Sequence, residues 1–220
     1  MVLLDVTRRY TRLESWLYDR VIAETVLATT SALIEGILAA VPPDGSVLDV
    51  GCGGGQLVLR LANRAPNLSI TGVDLSPDQV KRATARGQHH PQVRFQVGSA
   101  LELPFPDDHF DAAISIASIK HWPDQSQGVY ELIRVLRPGG LLQIAEGDRS
   151  CSLADAQAAV RLAVPRPLRT VALMALRTYV LGQGPDLDDA RALVAHRRLT
   201  QARVERMPSL PMLLISGIKE

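Results

Sequence analysis

The sequence is poor in the features that announce several common functions. Only two cysteines, Cys52 and Cys151, occur in 220 residues, too few for a disulfide framework or a sulfur-ligated metal cluster. The five histidines, at 89, 90, 109, 121 and 196, never pair with an acid at the helical spacing of a metal site. No metal is therefore expected. A basic start followed by a short apolar core is absent, and the most apolar late stretch, 171–181, is short and interrupted by Arg177. Neither a secretory signal nor a membrane span is expected, and the reading is a soluble cytoplasmic protein. Lysine is scarce, three residues against 21 arginines, a bias of genome composition more than of function. There is no basic tract, and a net charge of +1 gives no whole-molecule field for nucleic acid. That neutrality hides an asymmetry. Residues 149–220 hold eleven Lys+Arg against six Asp+Glu, a balance of +5, which leaves −4 for residues 1–148. The basic end is either a solvated face or one turned towards an anionic substrate or partner.

What is present describes one α/β domain. Apolar residues at 46% and charged ones at 21% suit a globular chain, and 220 residues fill one core better than two. Apolar positions recur at helical spacing through 5–40, until Val41-Pro-Pro-Asp-Gly45 turns the chain. Strands are expected at 46–50, 68–73, 93–97, 110–116 and 141–145, with helices between them from about 54, 77 and 125. The run at 110–116 is nearly all apolar, as a central parallel strand covered on both faces should be. Beyond 148 the pattern predicts two helices broken at Pro165-Arg-Pro167, a short helix at 187–198, and strands at 200–206 and 212–218.

Two motifs carry the chemistry. Val47-Leu-Asp-Val-Gly-Cys-Gly-Gly-Gly-Gln56 is a strand running into a glycine loop, and Ile70-Thr-Gly-Val-Asp-Leu-Ser76 is a second strand ending at an acid. Asp74 follows Gly51 at about the distance that sets an acid beside a ribose in a βαβ unit. The dinucleotide fingerprint is not met, because Gln56 or Val58 stands where its third glycine belongs. Instead Asp49 opens the loop. A carboxylate 4 Å from a phosphate charge is repelled by about 4 kcal/mol at an effective dielectric of 20. A nucleoside bearing an ammonium and a sulfonium, with no phosphate, is attracted. S-adenosylmethionine (SAM) fits that description, and Asp49 is expected to hold the loop by accepting backbone N–H bonds.

With Val97-Gly-Ser-Ala-Leu-Glu-Leu-Pro-Phe-Pro106, Phe110-Asp-Ala-Ala-Ile-Ser115, Lys120-His-Trp-Pro-Asp124 and Glu131-Leu-Ile-Arg-Val-Leu-Arg-Pro-Gly-Gly140, the chain resembles the class I SAM-dependent methyltransferases, particularly small bacterial enzymes acting on small molecules. The resemblance covers residues 10–148 well and the remainder loosely. It implies a doubly wound, mostly parallel, seven-stranded Rossmann-like sheet with its last strand antiparallel and helices on both faces. It divides the single domain into an N-terminal helical lid (1–45), a SAM-binding core (46–148), a helical substrate cap (149–199) and a strand hairpin (200–220). Gly51, Gly53 and Gly55 would approach the cofactor through their backbone, Asp74 would hold the ribose hydroxyls, and Leu75 would pack on the adenine. Ser99 stands where the family commonly has an acid for the adenine amino group, and an uncharged acceptor there is weaker. The N–H of Ala100 would reach a ring nitrogen, Ile116 would line the methionine half, and Tyr18 of the lid would touch the cofactor. Phe105 either closes over the adenine edge or plugs the core.

Methyl transfer needs mainly positioning, plus a base where the acceptor must lose a proton. His121 is the candidate base, with a surface histidine beside Trp122 as the alternative. The acceptor is expected in an apolar pocket bounded by the helix at 167–181, the segment 10–18 and His121, with Arg169 and Arg177 available for an anionic group. The alternatives are that this helix only completes the core or that it pairs with a second copy across a dimer interface. A small-molecule substrate, no nucleic-acid or membrane partner, and a monomer or homodimer complete the reading. The rivals are a SAM-binding protein that has lost catalysis and, more distantly, a nicotinamide-dependent reductase.

Overall fold

Val47, Leu48, Ala112, Ala113, Ile114, Leu142 and Ile144 are so apolar on both sides of their strands that only a sheet covered on two faces can hold them. The computed structural model describes residues 29–195 and 197–220, apart from the side chains at 162, 163, 179 and 180. The strands are β1 (Ser46–Val50), β2 (Ser69–Asp74), β3 (Val93–Val97), β4 (Phe110–Ile116), β5 (Leu136–Gly147), β6 (Leu199–Arg206) and β7 (Met212–Lys219). They form one sheet in the order β3-β2-β1-β4-β5-β7-β6. The pairs among β1 to β5 are parallel, and β7 runs antiparallel to both β5 and β6. Strand order reverses between β1 and β4, which puts the ligand crevice beyond the carboxyl ends of those two strands.

Helix α1 (29–40 as described), α2 (Gln56–Arg64), α3 (Pro77–Gly87), α4 (Gln125–Val135), α5 (Leu153–Ala163), α6 (Arg169–Ala175) and α7 (Leu187–Val194) complete the fold. Alternate strand residues divide between two cores, as period-two geometry requires. Val47, Ala112, Ile114 and Ala145 face Leu33 and Ile37 of α1 and Leu57, Val58 and Leu61 of α2. Leu48, Ala113, Leu142 and Ile144 face Val129, Leu132 and Ile133 of α4 and Ala190 of α7. A third core, Cys151, Ala156, Ala159, Val160, Val164, Ala172, Leu176 and Leu181, joins α5 to α6 and lies off the sheet.

Local chemistry explains the helix starts. Ser76 caps α3, its Oγ accepting from Gln79 N–H at 3.4 Å, with Pro77 at the first helical position. Asp124 caps α4 and Asp186 caps α7 with a full capping box. The break at Pro165-Arg-Pro167 is present, and α6 runs on as a π-helical turn, Leu176–Leu181. Two expected boundaries shift. Strand β5 begins at Leu136, because the parallel pairing with Phe110 draws the chain into the sheet before Pro138. Helix α7 stops at Val194, and the chain enters β6 five residues later. The expected helix before residue 29, Tyr18, the 10–18 segment and His196 lie outside the described residues.

Candidate active site

The crevice is built from β1, β2 and β4 at their carboxyl ends. Gly51, Gly53 and Gly55 all take positive φ, 76°, 51° and 80°, a backbone that side-chain-bearing residues rarely adopt. The N–H groups of Gly51 and Cys52 donate to the Val73 carbonyl at 2.8 and 3.0 Å, anchoring the loop on β2. A Cβ at Gly51 would run into Ser118 Oγ, whereas one at Gly53 would meet nothing within 4 Å. The loop is thus closed against β4 at its base and open above Gly53.

Asp74 sits at the end of β2 and grips this loop. Its Oδ2 accepts from Gly53 N–H and its Oδ1 from Ser76 N–H, each at 2.9 Å. Each oxygen keeps a free lone pair, the number that two vicinal hydroxyls require. Leu75 beside it is 74% exposed, an apolar platform at the mouth of the crevice.

Asp49 corrects the sequence expectation. It is buried, 3% exposed, yet among the described residues no hydrogen bond reaches its carboxylate. The loop N–H groups are satisfied by Val73, Asp74 and Cys52 instead. Burial first, and the Asp74 charge second, push its carboxyl up to about 7. A cation beside it would relieve both effects.

Ser99 and Ala100 follow β3 at the same end of the sheet. Ser99 Oγ accepts from Leu101 N–H at 3.1 Å and retains its own proton and a lone pair. Phe105 plugs the core: it meets Phe110 edge-on at 4.9 Å and stacks on His109 at 6.2 Å. Cys52 fills the space over Gly72, where a Cβ would meet its sulfur, and burial drives its thiol pKa far up. It is a small filler.

At the exit of β4 the half-buried Ile116 precedes Ala117, which holds a left-handed φ of 51°. Strain of this kind at a strand exit is a mark of functional sites. A single 3₁₀ turn, Ile119–His121, follows and presents His121 to solvent. Partial burial and the Lys120 charge hold its imidazole below the usual histidine range, against the opposing pull of Glu146. The shift favours the neutral imidazole, which can accept a proton.

Three features here were not singled out by the sequence, and two of them join residues far apart in the chain. Lys120 Nζ and Glu146 Oε1 form an ion pair at 3.1 Å, with side chains 4% and 1% exposed. Glu146 also accepts from the N–H groups of Lys120 and Gly147 at 3.2 and 2.8 Å, tying the exits of β4 and β5 together. Trp122 Nε1 donates to Ser118 Oγ at 3.1 Å, and its ring fills the space over Gly128. Arg86 Nη1 donates to the Gly54 carbonyl at 3.0 Å. The partners are 26 residues apart in the ion pair and 32 in the last contact, so only the folded sheet brings them together.

Among the described residues no group of three metal-ligating side chains occurs, and no helix is long and apolar enough to cross a membrane. Helix α6 follows β5 as expected but packs on α5, with Arg169 Nε and Nη2 donating to the Val164 and Arg161 carbonyls at 3.0 and 3.1 Å. That arginine is spent on capping α5.

Comparison with known proteins agrees with this geometry. A family model described as a methyltransferase domain matches residues 47–140. A 2-methyl-6-phytyl-1,4-hydroquinone methyltransferase of Synechocystis is 41% identical over 112 residues, 50% of this chain and 35% of that protein. A 27-O-demethylrifamycin SV methyltransferase of Amycolatopsis mediterranei is 34% identical over 127 residues, 56% of this chain and 46% of that protein. The chain thus spans less than half the length of either relative. A SAM-dependent methyltransferase structure from Aquifex aeolicus aligns over 85% of this chain and 89% of its own, with a TM-score of 0.60 at 15% identity, a likeness of fold.

Proposed function

Residues 47–140 of this chain are a class I SAM-dependent methyltransferase domain, and from that premise we propose that the protein methylates a small, largely apolar acceptor. The observation that carries this reading is the pairing of a buried Asp49, whose carboxylate has no hydrogen bond among the described residues, and an Asp74 that clamps a left-handed glycine loop. The pair suits a cationic nucleoside and opposes a phosphate-bearing one. When bound, SAM supplies an electrophilic methyl group on a sulfonium.

The chain's own residues do the rest. The free lone pairs of Asp74 hold the ribose hydroxyls, Leu75 covers the adenine, and Ser99 Oγ with Ala100 N–H meet its polar edge. Asp49, Gly51, Gly53, Gly55 and Ile116 surround the methionine half, with Tyr18 as a further contact from the N-terminal segment. His121 takes the proton that an acceptor hydroxyl loses. The acceptor then lies between His121 and the α5–α6 cap. No nucleic-acid or membrane-spanning role is part of the proposal, nor is a metal, and the site suits a monomer or homodimer in the cytoplasm.

The relative named as a 2-methyl-6-phytyl-1,4-hydroquinone methyltransferase supports an acceptor with an aromatic hydroxyl or an activated ring carbon, and the one named for 27-O-demethylrifamycin SV supports transfer to an oxygen. Incubation with SAM and a panel of prenylated hydroquinones, simple phenols and amines tests it. Formation of S-adenosylhomocysteine only with the lipophilic phenols is the expected result. Binding of SAM with no turnover on any acceptor would instead favour a non-catalytic binding protein.

A further inference from the structure

Helix α6 and the π-helical turn that extends it carry two unlike faces. Ala172 and Leu176, with Leu168 and Leu173, pack on Ala156, Ala159, Val160 and Val164. The opposite stripe, Pro167, Val171, Met174, Arg177 and Thr178, is exposed, with Val171 at 58% and Met174 at 69%. The segment from 156 to 183 contains four arginines and no acid.

Arg169 is spent on the α5 carbonyls. Arg161, Arg166 and Arg177 are exposed, and no ion pair involves them among the described residues. Of the flanking acids, Asp186 and Asp189 pair with Arg149 and Asp188 with Arg191, while Asp155 accepts from Ser152 Oγ and pairs with no arginine among the described residues. The stripe therefore presents apolar side chains flanked by arginines that form no ion pair among the described residues. A second copy of the chain, paired by a two-fold axis, would set these arginines against themselves. An anionic surface with an apolar interior complements both features at once.

Against the sequence expectation of no membrane partner, we propose that the α6 stripe and its flanking arginines dock the protein on an anionic phospholipid surface. Val171 and Met174 enter the acyl boundary, and Arg161, Arg166 and Arg177 meet the headgroup phosphates. The inference rests on the proposed reading only in its purpose, since docking there delivers a lipophilic acceptor to the cap. The docking itself is a property of the surface.

Flotation of the full chain with vesicles of phosphatidylcholine, alone or with about a third phosphatidylglycerol, tests it. Binding should be roughly tenfold stronger to the anionic vesicles and should fall sharply at ~0.5 M salt. Val171→Ser with Met174→Ser, and separately Arg166→Gln with Arg177→Gln, should each weaken it roughly tenfold. Arg60→Gln, an exposed arginine on α2, should leave it unchanged. Unaltered SAM titration in every variant verifies the fold. Equal binding to neutral vesicles, no binding, or binding indifferent to the stripe substitutions overturns the proposal, as does a self-association that the Val171→Ser, Met174→Ser pair abolishes. If the protein floats with anionic vesicles but never binds SAM, the methyltransferase reading fails and the docking stands.

Discussion

Burial first and the Asp74 charge second raise the pKa of the Asp49 carboxyl. Unfolded, its carboxyl titrates near 3.8, and in the fold it is pushed up to about 7. Between those values the folded chain holds a proton that the unfolded chain has released. Its contribution to stability is therefore fullest below the unfolded value and is lost as pH rises through 7. Three pKa units correspond to about 4 kcal/mol. Asp49→Asn should raise the melting temperature of the ligand-free protein at pH 8 and have little effect at pH 4, measured by scanning calorimetry. Equal shifts at both pH values would contradict the assignment. A cation bound beside Asp49 must expel its proton, so SAM affinity in the unsubstituted protein should rise with pH through 7.

At the scale of elements, the exits of β4 and β5 are where local pattern ends and tertiary structure takes over. Glu146→Gln would leave the Lys120 ammonium buried with a weakened partner. Removing one member of a buried pair costs about 3–5 kcal/mol. Urea unfolding should show a loss of that order, and a loss below about 1 kcal/mol would mean that the pair is solvated in solution. The partnership of Lys120 with Glu146 is not readable from the sequence, because it depends on the parallel pairing of Ile116 with Ala145. The glycine loop and Asp74 were legible because one strand, one loop and the next strand place them within 24 residues. The strands β1, β3 and β4 read directly from apolar runs, whose period and length leave little choice. The start of β5 did not, since Pro138-Gly139-Gly140 has the composition of a turn and joins the strand only through its neighbour. The role of Asp49 was misread for a related reason: sequence shows a carboxylate at a loop, but not that Val73 and Asp74 already satisfy the loop's N–H groups.

At the scale of the molecule, the sheet with its two covering layers is one cooperative body, and the α5–α6 cap has a separate small core. Regions with few contacts to the main core open at lower free energy. Hydrogen exchange should therefore show α6 amides exchanging well before those of β1, β4 and β5, and equal protection would contradict a separate cap. The same division matches the charge asymmetry, with the acidic cofactor half at −4 and the basic cap and hairpin at +5.

The central claim is that two carboxylates and a left-handed glycine loop select a cationic nucleoside. Calorimetric titration of the protein and its Asp74→Ala variant with SAM, NAD and ATP tests it most directly. Two hydrogen bonds to a charged acceptor disappear in the variant, a loss of roughly 2–4 kcal/mol. That is a ~30- to 1000-fold weaker dissociation constant for SAM, with no binding of NAD or ATP to either protein. An unchanged SAM affinity in Asp74→Ala, or NAD binding as tightly as SAM, would contradict the account.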